Sequence, residues 1–155
     1  MKRTRTTTSR SVRPVHRRLV QGTAGAAHVH ERCWTNPGQD ARLPVCVRHA
    51  GESDWGPNDQ YERISSAHFS LELTTEGSGI VEINGAQHLF VPGDMLIVGP
   101  RDYCRYYTGP ARRWRKTYVA LQPEGVAVMI AHMHLKGVCH VRLGKPAFGE
   151  AARCF

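Results

Sequence analysis

Nine histidines and five cysteines give this 155-residue chain its first chemical interest. Two histidine pairs have one residue between them, His28-Val-His30 and His132-Met-His134. On a strand that spacing puts both rings on one face. On a helix it sends them roughly 200° apart, where they cannot share an ion. The first pair lies at the edge of a segment that reads as disorder and the second in an expected helix, so a bound metal is not expected at either. The cysteines are Cys33, Cys46, Cys104, Cys139 and Cys154, an odd number with no CxxC among them. That argues against a disulfide framework and against a four-cysteine zinc site, and for a reducing, cytoplasmic setting. Arg101 and Arg105 flank Cys104 and could lower its thiol pKa; a cysteine on an alternating strand is more often a small buried hydrophobe. The chain has no GxSxG elbow, no GxxxxGK[ST] loop and no dinucleotide-binding glycine pattern. No catalytic residue, enzyme activity or cofactor is expected.

The stretch from 101 to 118 carries more information. Arg101, Tyr103, Arg105, Tyr107, Arg113 and Arg115 alternate with Asp102, Cys104, Tyr106, Arg112, Trp114 and Lys116. Tyrosine and tryptophan offer flat apolar faces with one polar tip, and arginine offers a planar fork of donors. Together they suit a polyhydroxylated or carboxylated small molecule. The alternative is an edge strand studded with charge to prevent strand addition.

These residues need a scaffold, and the pattern around them is that of strands. "HFSLELTTEGSG" puts Phe69, Leu71 and Leu73 on one face and Ser70, Glu72 and Thr74 on the other. Gly77 and Gly79 break or bulge the chain. "IVEIN" leads into Asn84-Gly85, a strong hairpin signal, and "AQHLFV" returns. Pro92-Gly93-Asp94 turns again, then "MLIVG", "YCRYYT" and "KTYVALQP" follow as strands. Short strands between frequent turns indicate a sandwich or barrel. Upstream, one strand is expected in "LPVCVRHAG", while "SDWGPNDQYERIS" reads as loop. Downstream, Gly125–Leu135 reads as a short helix, with Val126, Met129, Ile130 and Met133 at helical spacing. The remainder to Phe155 has no clear period.

The length suits one domain with a real core. No apolar run is long enough for a membrane span, and no apolar region follows the basic start, so neither a membrane partner nor a secretory signal is expected. The formal net charge is +8, yet residues 1–18 hold seven Lys/Arg and no Asp/Glu, which leaves 14 basic and 13 acidic residues elsewhere. The basicity therefore belongs to the expected tail. Three segments result: a basic, disordered tail over 1–27, a barrel over 28–123, and a helical or irregular segment over 124–155.

The ordered series "FSLEL", "GSG", "INGAQHLFVPGDMLIVGP", "CRY" and "WRKTYVALQP" resembles the N-terminal ligand-binding and dimerisation domain of AraC-type transcription regulators. The resemblance runs from about Tyr61 to Pro123. Cys104 stands where many members carry histidine, and Leu121 where an aromatic is usual. The resemblance implies a mostly β, cupin-like double-stranded β-helix, a jelly-roll barrel, with a short C-terminal helix similar to the start of the family's dimerisation helices. It implies a sensor of a sugar or small organic acid that controls transcription. The partners would be that small-molecule effector, a second copy if the chain dimerises, and DNA only through a missing or separate helix-turn-helix part. Pocket candidates are Arg63, His68, Glu72, Tyr103, Arg105, Tyr106 and Trp114. Strand parity lets either Tyr103 and Arg105 or Cys104 and Tyr106 point inward, not both. The spacing His68, Glu72, Gly79 is also similar to the metal motif of cupin enzymes, but the partner histidine falls at Ser66 and the later one near Cys104 or Arg105. A metal-dependent cupin isomerase or dioxygenase, and an inactive truncated regulator, are the alternatives.

Overall fold

From Phe69 onward the expected alternation is realised strand by strand. β5 (Phe69–Gly77), β6 (Gly79–Ile83), β7 (Ala86–Phe90), β8 (Asp94–Val98), β9 (Tyr103–Thr108) and β10 (Trp114–Leu121) follow in sequence. They are preceded by β1 (Val15–Leu19), β2 (Val29–Thr35), β3 (Val47–Trp55) and β4 (Gln60–Ile64). The computed structural model describes residues 15–19, 29–35, 43, 45–64 and 66–155. Every strand pairing is antiparallel. One sheet has the order β1-β2-β3-β10-β5-β8-β11, where β11 is His140–Arg142; the other has the order β4-β9-β6-β7.

The core lies between the sheets. Trp55, Leu96, Val98 and Trp114 come from the larger sheet and Val81, Ile83, Phe90, Cys104 and Tyr106 from the smaller. The mostly β jelly-roll expected from the sequence is what the chain forms. Local chemistry explains its corners. Asn84 and Gly85 both have positive φ, 49° and 85°, as a tight hairpin between β6 and β7 demands. At the Pro92-Gly93-Asp94 turn, Asp94 caps its own corner: its carboxylate accepts from the Val91 N–H at 2.9 Å. The same buried carboxylate takes Arg142 Nη2 at 3.0 Å and faces His140 Nε2 at 3.3 Å. One aspartate thus shapes the turn and ties β11 to β8.

Gly79 has a packing reason. A Cβ there would stand 2.1–2.2 Å from the indole of Trp114, so the core tryptophan requires the missing side chain.

Several expectations need correcting. The run read as loop, residues 53–65, contains the end of β3 and all of β4. Its turn residues act only at Pro57-Asn58, where Asn58 has φ of 68°. Within the stretch read as a disordered tail, β1 pairs along its length with β2; the rest of 1–27 lies outside the described residues. The larger sheet therefore draws strands from both sides of the expected 28–123 barrel. The helix α1 spans Pro123–His132, starting on Pro123 at its first turn, and buries only Val126. The tail without period contains β11 and a second helix, α2 (Lys145–Cys154), which lies against β5.

Candidate functional site

Inside the barrel the larger sheet presents polar residues where a plain core would present apolar ones. In β5 the buried row is Ser70, Glu72 and Thr74. Alongside, β10 buries Trp114, Lys116 and Tyr118, which pair with Gly77, Thr74 and Glu72. Beyond β10, β3 buries Trp55, Ser53 and Gly51 in register with those three residues of β10. The β5–β10 pairing slips between Arg115 and Lys116, a bulge of the kind that re-aims a side chain inward.

The centre of this surface is Glu72. Its Oε2 accepts from Lys116 Nζ in a fully buried ion pair. Its Oε1 accepts from Tyr106 OH and from Ser70 Oγ, each at 3.1 Å. Burial pushes the Glu72 carboxyl upward, but Lys116, Arg63 and the Tyr106 hydroxyl outweigh it, and the pKa is lowered on balance. The ammonium of Lys116 also sits 4.3 Å from the ring centre of Tyr106, 4.5 Å from Trp114 and 5.0 Å from Trp55. Three ring faces around one cation make an aromatic cage, filled here by the chain's own lysine. Trp114 is held in turn by its indole N–H, which donates to Thr74 Oγ1 at 3.1 Å.

Arg63, from β4, is the second interior cation. It is 7% exposed. Its Nη2 donates to the His68 carbonyl at 2.9 Å, while its buried Nε has no hydrogen-bond partner. His68 stands beside His49, ring centres 4.8 Å apart. Burial, then the charges of His49, Arg63 and Arg48, press its pKa down to about 4, so its ring is neutral at pH 7.

Of the sequence candidates, Arg63, Glu72, Tyr106 and Trp114 are all buried, and His68 is half-buried beside Arg63. Tyr103 and Arg105 do not join them. On β9 the inward residues are Cys104 and Tyr106; Tyr103 and Arg105 point outward, where both bond Glu62 of β4. Parity demands this, because Tyr106 must face Glu72. Cys104 is the small buried hydrophobe that an alternating strand favours: it is fully buried, and burial pushes the thiol up to about 12. Sequence reasoning left Lys116, Trp55 and Ser53 off the site. The signal for Lys116 was present, since it shares the parity of Trp114 and Tyr118. Trp55 arrives only through the β3–β10 pairing.

The residues present do not fit the metal centre that the His68–Glu72–Gly79 spacing suggested. The carboxylate of Glu72 is already bonded to an ammonium, and that charge repels a divalent cation. Among the described residues no group of three or more His, Cys, Asp or Glu side chains could hold an ion. His132 ends α1 and His134 follows it with φ of 57°; the His28/His30 pair lies outside the described side chains.

A family model described as the AraC-like ligand binding domain matches residues 48–139, which is more than half of the chain. The chain belongs to that family. No curated protein matches it in sequence. Among solved structures, a predicted oxalate decarboxylase from Thermotoga maritima superposes with a TM-score of 0.54 at 12% identity, covering 72% of this chain and 93% of that one. A cupin superfamily protein from Desulfitobacterium hafniense gives 0.50 at 16% identity, covering 73% and 99%. At such identities the likeness establishes the cupin fold alone. This AraC-like domain thus has a ligand-binding architecture, and among its described residues no helix is long and apolar enough to cross a membrane.

Proposed function

We propose that this AraC-like domain is a cytoplasmic sensor of a sugar or small organic acid. Its response would control transcription through a separate helix-turn-helix part. It is read as a binding domain rather than an enzyme. The observation that carries this reading is the buried polar array of Arg63, Ser70, Glu72, Tyr106 and Lys116 inside the barrel of a ligand-binding family. Buried polar groups cost stability unless paired, and natural chains retain such costs where they serve recognition. Donors and acceptors held on strands are also preorganised, which reduces the entropy lost on binding. Sensing then requires that the ligand favour one of two arrangements of the protein. The exposed Val128, Met129 and Met133 at α1 and its C-terminal end are where a change in association with a second copy would be read out.

The test is a thermal-shift screen of the purified chain against sugars, sugar acids and aromatic acids. A ligand at a hundredfold its Kd stabilises the folded state by about 2.7 kcal/mol. A saturable rise in melting temperature, with the compound recovered chemically unchanged by NMR, is expected. A rise accompanied by conversion of the compound would make the domain an enzyme, and no rise with any compound would refute the sensor reading.

A further inference from the structure

Around Glu72, two buried cations, Arg63 and Lys116, share one buried carboxylate. The other two buried carboxylates serve turns: Asp59 accepts from the Gly56 N–H, and Asp94 is held by the Val91 N–H and Arg142. Glu72 is fully engaged by Lys116, Tyr106 and Ser70. Among the described residues Arg63 donates to the neutral carbonyl of His68 and joins none of the ion pairs. Arg63 pairs across β4 and β9 with the inward-facing Cys104, two residues from Tyr106, and its charge acts on Glu72, Cys104, Tyr106 and His68. Neutral His68 supplies no counter-charge. Leaving a guanidinium in this state is costly, because a buried charge requires both a partner and saturated hydrogen bonds. The hydrogen bonding points the same way. The Nε of Arg63 itself is buried without a partner, and it can only donate.

We propose that the effector is a small monoanion, a carboxylate or comparable oxyanion, received by the guanidinium of Arg63. The inference rests on the sensor reading and narrows it from sugar or acid to acid. A carboxylate matches the planar donor fork of arginine in shape as well as charge. The Glu72–Lys116 pair is neutral as a unit, so it sets the shape of the site and not the sign of its ligand. A neutral sugar would leave the Arg63 charge uncompensated, and an organic cation would add to it.

The experiment is a thermal-shift titration of the whole chain in low-chloride buffer. The probes are sodium acetate, pyruvate and benzoate, each against its neutral amide, with D-glucose and D-xylose as neutral polyols. Sodium chloride and sodium phosphate at equal ionic strength form the inorganic arm. At least one organic carboxylate is expected to raise the melting temperature saturably while its amide does not. Arg63→Met should weaken that carboxylate at least tenfold, yet leave the ligand-free melting temperature unchanged or higher, because it deletes an unpaired buried charge. Glu62→Gln, on the outer face, should bind within twofold of the native chain. If Arg63→Met does not fold, Arg63→Lys keeps the charge without the fork. It should still prefer acid over amide, at several-fold lower affinity. Equal binding of acid and amide, or full binding by Arg63→Met, overturns the proposal. So does saturation by chloride or phosphate that no organic acid competes away, which would make this a structural inorganic-ion site. If only the neutral sugars bind, the monoanion fails while the sensor reading stands. If no probe binds, both fail.

Discussion

Replacing Lys116 by methionine tests whether the interior is organised around the Glu72–Lys116 pair. Methionine keeps the unbranched stem that packs among Trp55, Tyr106 and Trp114 and deletes only the ammonium. Glu72 would keep Tyr106 and Ser70 as donors but lose its one direct counter-charge. Breaking one side of a buried ion pair typically costs about 3–5 kcal/mol, since the remaining charge stays buried. Loss of the cage contacts adds about 1 kcal/mol or more, and the field of Arg63 at Glu72 returns part of it. The net expectation is about 3 kcal/mol, or roughly 10 °C in melting temperature for a domain of this size. The double variant K116M/E72Q removes both charges together and should recover most of that loss, with a coupling of about 2 kcal/mol. The assay is urea denaturation at pH 7 with thermal melts in parallel. The pH dependence supplies an independent sign. Glu72 has a folded pKa below the ordinary glutamate value of 4.5, so its stabilisation is present above that value and is lost as pH falls through the folded pKa. Without Lys116, burial is less opposed, so the carboxyl protonates at higher pH and acid unfolding begins earlier. A cost under about 1 kcal/mol for Lys116→Met, or strict additivity in the double variant, would refute the reasoning.

Two other expectations concern single residues. His68 has a folded pKa of about 4 against 6.5 for an unperturbed histidine. The folded chain thus binds fewer protons between those values, and stability should fall as pH drops from about 6.5 to about 4. Because the ring is only half-buried, the effect is on the order of 1–2 kcal/mol after solvent screening, and His68→Gln should flatten the pH profile of the melting temperature in that window. Gly79→Ala puts a methyl into the Trp114 indole and should destabilise by about 2–3 kcal/mol, with a red shift in tryptophan emission; a variant as stable as the native chain would show that Trp114 is not packed there.

The strands and turns from Phe69 to Leu121 were legible because their signals are local. Alternation at period two, Asn84-Gly85 and Pro92-Gly93-Asp94 each act within a few residues. The barrel, and the resemblance to AraC-like domains, followed from their order. β4 was missed because Pro57, Asn58 and Asp59 hid a strand whose partner, β9, lies about forty residues away. β11 was missed because three residues carry no period, and Asp94 of a distant turn fixes them through Arg142 and His140.

The candidate site divides the same way. The candidates drawn from the sequence and its family resemblance put Arg63, Glu72, Tyr106 and Trp114 beside His68, Tyr103 and Arg105, and strand parity reduced β9 to two choices of inward face. It could not choose between them, and so Tyr103 and Arg105 stood beside Tyr106. Local alternation says only which residues share a face. Which face turns inward depends on what meets it across the sheet or across the barrel. The polar face of β5 is buried because Lys116 arrives from 44 residues away to neutralise Glu72. Only the pairing of β10 with β3 and β5 brings that ammonium, its aromatic cage and the carboxylate to one point.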